Sequence, residues 1–314
     1  MARVTNVLVN ILIAALFVWT LQQGCVRDIP AGPPVGDDDP PPSGQTFTVP
    51  VILTPVVRLP GVLYESSGLA LSLPGRFWSH NDSGNENKIY CFDLAGNLLK
   101  TITVANSTNV DWEDFALDDM KRLYICDAGN NDNNRRDLKI YRIPDPESVS
   151  GTSVTAEVIS FTYDDQTSFP PPASLRHYDM EAVVWYSDSL FLFTKDRSNP
   201  LSGYTRMYKM PATPGTQTAR YAGRFYLGTT TAEVRVTAAD IDRANGKVVL
   251  LTARRLIVFS NYTGSRFFEG NITYHPFTSA PGQVEAVIFN GTDGYYLTEE
   301  GTTSSPGWIY RIDN

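Results

Sequence analysis

Five acidic residues recur at the same place in a repeated sequence pattern: Glu65, Glu113, Glu181, Asp240 and Glu285, spaced 45 to 68 residues apart in a chain of 314. Each opens or precedes a short apolar run, as in Glu65-Ser-Ser-Gly-Leu, Met180-Glu-Ala-Val and Val284-Glu-Ala-Val. A second polar set closes the next apolar run of each segment: Asn81 and Asp82, Asp127 and Asn130, Lys195 and Asp196, Glu299 and Glu300. Carboxylates gathered from both sets would repel one another and raise their own pKa values unless something neutralised them. A bound cation does this, and an all-oxygen donor set suits Ca²⁺, with Mg²⁺ a poorer match and soft metals poorer still. Asp, Glu and Asn side chains of the two sets are the candidate donors. Asp82, Asp127, Lys195, Asp196 and Glu299 are expected to line the same mouth. The fourth segment departs from the pattern, because LLTARRLIVFS places Arg254 or Arg255 where the others carry acids. That arginine, with Lys195, could itself balance the charge. A purely structural reading stands beside the metal one: acids opening a strand can bond neighbouring backbone N–H groups and brace the fold.

Other chemistry has little support. His80, His177 and His275 sit in unrelated contexts without ligand spacing. His80, beside Asn81 and Asp82, is the one placed to serve as a base, with Glu181 the alternative. The run DAGNNDNNRRD (Asp127 to Asp137) lacks the glycine and the terminal glutamate of an EF-hand loop and reads as an Asn-rich turn. No Gly-x-Ser-x-Gly elbow, phosphate loop or His-Glu-x-x-His is present.

The acids need elements to carry them. Five segments share one plan of an acid, a short strand, a turn, an aromatic-rich strand, a polar loop and an Ile-Tyr-like strand. The apolar runs alternate or are continuous over strand lengths, and no window keeps a helical period. Units of about 40 to 50 residues built this way predict an all-β chain folded as a β-propeller. Five blades fit the repeats, and a sixth requires a divergent unit hidden in residues 145 to 178. The last segment stops at its third strand, so TFTVPVILTPVVRLP, near the other end of the domain, is expected to supply the fourth and close the ring. In a propeller the inner strands begin, and the second strands end, on one face. Both polar families then surround one mouth of the central channel.

Residues 1 to 24 read as an export signal, with Arg3, an apolar run from Val7 to Leu21 too short to span a bilayer, and Gly24. Cys25 follows directly and resembles the lipidated cysteine of bacterial lipoproteins, so lipidation and plain secretion both stand. Residues 25 to 45 are rich in Pro and Asp and read as an extended linker, leaving 46 to 314 for the propeller. The net charge of −8 argues against nucleic acid and against docking on an anionic bilayer through basic residues. Membrane contact would come only through a lipid on Cys25, and a monomer is expected. Cys91 and Cys126 lie in separate strand-like runs, so a disulfide or two buried thiols are both compatible with the sequence.

The motifs Glu-Ser-Ser-Gly-Leu (65–69), Trp-Ser-His-Asn-Asp-Ser-Gly (78–84), Asp-Trp-Glu-Asp (111–114), Ile-Cys-Asp-Ala-Gly-Asn-Asn (125–131) and Met-Glu-Ala-Val (180–183) resemble exported bacterial propellers. The similarity is to the SdiA-regulated and phytase-esterase-like groups, and more distantly to calcium-dependent gluconolactonase and paraoxonase propellers. That resemblance implies a central Ca²⁺ held by Glu, Asn and Asp, here Glu65, Asn81, Glu113, Asn130, Glu181, Asp240 and Glu285 as the expected metal ligands, and able to polarise a substrate carbonyl. Two functions follow as expectations: a binding module for a glycan, peptide or cell-envelope partner, or a Ca²⁺-dependent hydrolase of lactones or esters.

Overall fold

The computed structural model describes residues 44–291 and 294–313. The export signal, Cys25 and nearly all of the linker lie outside the described residues. Two strands, β1 (Thr46–Thr48) and β2 (Thr54–Arg58), precede the repeats. The first unit is β3 (Ser66–Leu73), β4 (Arg76–Asn81), β5 (Lys88–Phe92) and β6 (Leu98–Val104). The second begins with β7 (Trp112–Leu117), β8 (Leu123–Asp127) and β9 (Lys139–Ile143). After it, the two-residue strand β10 (Ser153–Val154) pairs in parallel with β6, and β11 (Glu157–Tyr163) pairs with β9. Residues 145 to 178 thus extend two existing sheets and make no unit of their own. The third unit is β12 (Asp179–Tyr186), β13 (Ser189–Lys195), β14 (Tyr204–Pro211) and β15 (Gly215–Tyr226). The single-turn helix α1 (Thr231–Val234) leads into the fourth, β16 (Val236–Asp242), β17 (Lys247–Thr252), β18 (Arg255–Ser260) and β19 (Asn271–Pro276). The fifth is β20 (Val284–Asn290), β21 (Gly294–Glu299) and β22 (Trp308–Ile312).

Strand β2 pairs antiparallel with β22 and completes the last unit, while β1 turns to the fourth unit and runs parallel to β19. The N-terminal run therefore serves two neighbouring sheets. Units two and three join at their outer strands, β11 parallel to β15, into one eight-stranded sheet. The first strands of the units form a ring: β3 packs on β7, β7 on β12, β12 on β16, β16 on β20, and β20 on β3.

The core explains why the apolar runs were continuous. It is divided into five clusters, each lying between two units. Along β13, Leu190 and Leu192 enter the cluster shared with unit two, and Phe191 and Phe193 enter the one shared with unit four. Side chains alternate across a strand, so a strand covered on both faces needs apolar residues at every position. Burying each such Phe or Leu contributes roughly 1.5–3 kcal/mol. Cys91 and Cys126 are free, buried thiols in two different clusters. No helix among the described residues is long and apolar enough to cross a membrane.

Candidate functional site: an acidic mouth with one uncompensated side

All five units interrupt the pairing of their first two strands at the same place. The residues passed over are Ser67 and Gly68, Glu113 and Asp114, Glu181, Thr237, and Glu285. A bulge of this kind re-aims a side chain that a regular strand would send into the sheet core. Glu113, Glu181, Thr237 and Glu285 all line one cavity of about 490 Å³, together with Asp82, Asn131, Lys195, Arg197, Arg235 and Gln283. Two residues before each bulge stands a second polar position: Glu65, Asp111, Asp179, Arg235 and Gln283. The repeated spacing Asp111-x-Glu113 and Asp179-x-Glu181 was the sequence signal for this second tier.

On the side of unit three the acids are neutralised. Lys195 Nζ lies 2.5 Å from Glu181 Oε1, Arg197 Nε 2.5 Å from Asp179 Oδ2, and Arg197 Nη2 3.3 Å from Glu181. Burial opposes the charge on Lys195, but Glu181, Glu285 and Asp179 hold its pKa above the ordinary lysine value. On the side of units one and two the acids have less cover. Asp82, Asp111 and Glu113 each offer a carboxylate oxygen within 4.8 Å of the others. Glu113 is 6% exposed, and no hydrogen-bond donor reaches its carboxylate among the described residues. Burial first, then Glu181 and Asp82, push its pKa well above the ordinary range. Asp111 is pushed up to about 7 by burial and by Asp82 and Asp179. Burial and then Asp82 raise Glu285 to about 7; burial, Glu285 and Asp82 raise Glu300 to about 8.

Gly129 fits against this cluster because it has no side chain: a Cβ there would collide with Glu113 Oε1 and come within 2.5 Å of Asp111 Oδ2. The donor set suits a hard divalent ion. Ligands within 4.8 Å of one another can share an ion at Ca²⁺–oxygen distances of about 2.3–2.6 Å. Glu113, Asp179 and Glu181 also offer carboxylate oxygens within 4.8 Å of one another, but Lys195 and Arg197 already compensate two of the three.

Several sequence-expected ligands sit elsewhere. Asp240 lies within β16, three residues beyond the Thr237 bulge, and lines a different cavity of about 600 Å³. It accepts from Phe289 N at 2.8 Å on the neighbouring inner strand. The acid pattern is displaced in the fourth segment because its bulge residue is a threonine. Asn81 and Asn130 spend their amides on loops. Asn81 donates to Val62 O and accepts from Glu65 N, while Asn130 donates to Tyr178 O and accepts from Asn134 N and Arg135 N. Glu65 accepts from Asn85 Nδ2.

The lining set divides in the same way. Asp127 pairs with Arg135 and accepts from Asp111 N, and Asp196 collects Ser198, Ser202 and Gly203 in its own loop. Glu299 accepts from Tyr310 Oη, leaving Glu300 as the acid that senses the mouth carboxylates. Arg254 is exposed and does not line the cavity; Arg255 donates to Leu227 O, and the cations of the mouth are Lys195, Arg197 and Arg235. His80 is fully buried against Trp112 and Phe115. Its Nδ1 donates to Asn81 O at 2.9 Å, Nε2 faces Gly68, and burial lowers its pKa to about 4. A neutral ring enclosed in this way cannot serve as a base at the mouth.

No protein-family model matches the chain, and no curated protein matches it. Among solved structures it is similar to the PQQ-bound aldose sugar dehydrogenase of Streptomyces coelicolor, at 12% identity over 87% of this chain and 99% of that one, with a TM-score of 0.48. It is also similar to a gluconolactonase of Xanthomonas campestris, at 13% identity over 84% and 98% of the two chains, with a TM-score of 0.40.

Proposed function

We propose that the chain is an exported propeller of five blades that holds a hard divalent cation, Ca²⁺, at one mouth of its channel and binds an extracellular or cell-envelope ligand there. The observation that carries this reading is the buried, unpartnered Glu113 carboxylate facing Asp82 and Asp111 in an open cavity. A buried carboxylate without a donor or counter-ion is costly, and a cation removes that cost while keeping coordination positions for a ligand. Export as a secreted monomer, or with a lipid on Cys25, belongs to the same proposal.

Calorimetric titration of Ca²⁺ and Mg²⁺ into chelator-treated protein is the direct test. Saturable Ca²⁺ binding with a raised melting temperature is expected. Absence of both would remove the reading. Catalysis is the second reading, favoured by one observation: the carboxyl of Glu285 lines the same cavity as Asp82 and Glu113 and forms no ion pair among the described residues, so it is placed to exchange a proton with a ligand there. Glu285 takes the part expected of His80 or Glu181, one being enclosed and the other ion-paired. A lactone and aryl-ester panel comparing wild type with Glu285→Gln decides it, since turnover unchanged in the variant would exclude that carboxyl from the chemistry.

A further inference from the structure

Of the residues two before the five bulges, Glu65, Asp111, Asp179, Arg235 and Gln283, the last two line the cavity. Only the fourth position is cationic, and Arg235 differs from the other mouth cations. Lys195 and Arg197 are committed to Glu181 and Asp179. Arg235 is exposed and lines the cavity, and no hydrogen bond or ion pair engages its guanidinium among the described residues. Its backbone is fixed by the turn before it, where Glu233 accepts from Thr229 N, Thr230 N and Thr230 Oγ1, and α1 ends at Val234. The one cavity therefore carries the carboxylates of Asp82 and Glu113, with Asp111 close beside them and no ion pair on any of the three among the described residues, and an uncommitted guanidinium.

We infer that the mouth binds a hydroxylated carboxylic acid. Its hydroxyl and nearer carboxylate oxygens complete the cation's coordination, and a second carboxylate pairs with Arg235. Resting on the cation reading above, this adds the charge of the ligand and the residue that selects it. The planar guanidinium fork matches a carboxylate bidentately. The acids lining the same cavity, Glu181 and Glu285, repel a dianionic phosphate at Arg235 more strongly than a singly charged carboxylate group there.

L-malate is a suitable probe, and malamide its uncharged counterpart of similar shape. Each is titrated calorimetrically into the full chain with and without saturating Ca²⁺. With Ca²⁺, malate is expected to bind at least tenfold more tightly than malamide. Arg235→Gln should lose at least that factor for malate and keep its Ca²⁺ affinity. Arg254→Gln, whose side chain lies off the cavity, should behave as wild type. Equal binding of malate and malamide, or undiminished malate binding by Arg235→Gln, overturns the inference. If Ca²⁺ does not bind but malate binding still depends on Arg235, the anion assignment holds and the cation reading falls. If neither binds, both fall.

Discussion

Glu113 and Asp114 are neighbours in one bulge of one strand, and both are buried carboxylates, yet the fold treats them oppositely. Asp114 points into the ring of inner strands. Its Oδ1 accepts from Phe115 N at 2.8 Å, and its Oδ2 accepts from Val183 N of β12 at 3.0 Å and Ala239 N of β16 at 3.1 Å. One side chain thus ties three units together. Glu113 turns the other way, into the mouth, where it meets only other acids and more distant cations. Burial raises both pKa values, but three N–H groups pull against that shift at Asp114 and none does at Glu113. A carboxylate supplied with backbone donors is part of the scaffold, whereas one left without them is the candidate for the proposed cation.

Substitutions can break this contrast. Asp114→Ala should cost the most stability, at least about 3 kcal/mol, because up to three buried N–H groups lose an acceptor at roughly 1–3 kcal/mol each. Denaturant unfolding measures it, and a loss below about 1 kcal/mol would show that the brace carries little. Gly129→Ala should cost about 1–3 kcal/mol as the new methyl displaces the Glu113 and Asp111 carboxylates. It should weaken Ca²⁺ binding in the same preparation. Glu113→Gln should do the reverse of Asp114→Ala, reducing Ca²⁺ affinity at least tenfold while metal-free melting stays the same or rises. A falling melting temperature with intact Ca²⁺ affinity would exchange the roles of the two residues.

The pH dependence sharpens the same comparison. Asp111, Glu285 and Glu300 titrate at about 7, 7 and 8 when folded, above their ordinary values of 3.8, 4.5 and 4.5. The folded state then binds protons more tightly than the unfolded state. The stability they contribute is complete below about pH 4 and is lost as pH rises toward 8. Metal-free melting should decline across that window, and saturating Ca²⁺ should flatten the decline; a decline of equal slope with Ca²⁺ would separate the cation from these acids. Asp240→Asn should have the smallest effect. The amide oxygen still accepts from Phe289 N, and the charge removed belongs to a carboxyl that burial raises to about 6. A stability change within about 1 kcal/mol and unaltered Ca²⁺ affinity are expected.

Much of the architecture was legible because it follows from local chemistry. The repeat of strand-length apolar runs marked the units, and a last segment one strand short required the N-terminal strand that β2 supplies. Glu113, Glu181 and Glu285 were also legible, since each stands shortly before an Ala-Val or Phe-Ala pair near the start of an inner strand. Asp240 stands where the acid pattern expects a mouth residue, but the fourth bulge carries Thr237 and Asp240 lies three residues beyond it. Arg235 follows from the same displacement: with Asp240 leading the fourth segment, Arg235 falls outside it, whereas Arg254 and Arg255 fall within.

By itself, the sequence determined the strands, their grouping into units and the presence of acids near the start of several inner strands, because period and turn chemistry act over a few residues. Only the tertiary structure decided which acid faces the mouth and which braces the ring. In a regular strand, neighbouring residues face opposite ways, but an irregularity of one or two residues re-aims them. Where it falls is set by packing between units far apart in the chain. The same packing brought Lys195 and Arg197 to some carboxylates and left Asp82, Asp111 and Glu113 to share a site. That difference in compensation is a property of space, and no spacing along the chain encodes it.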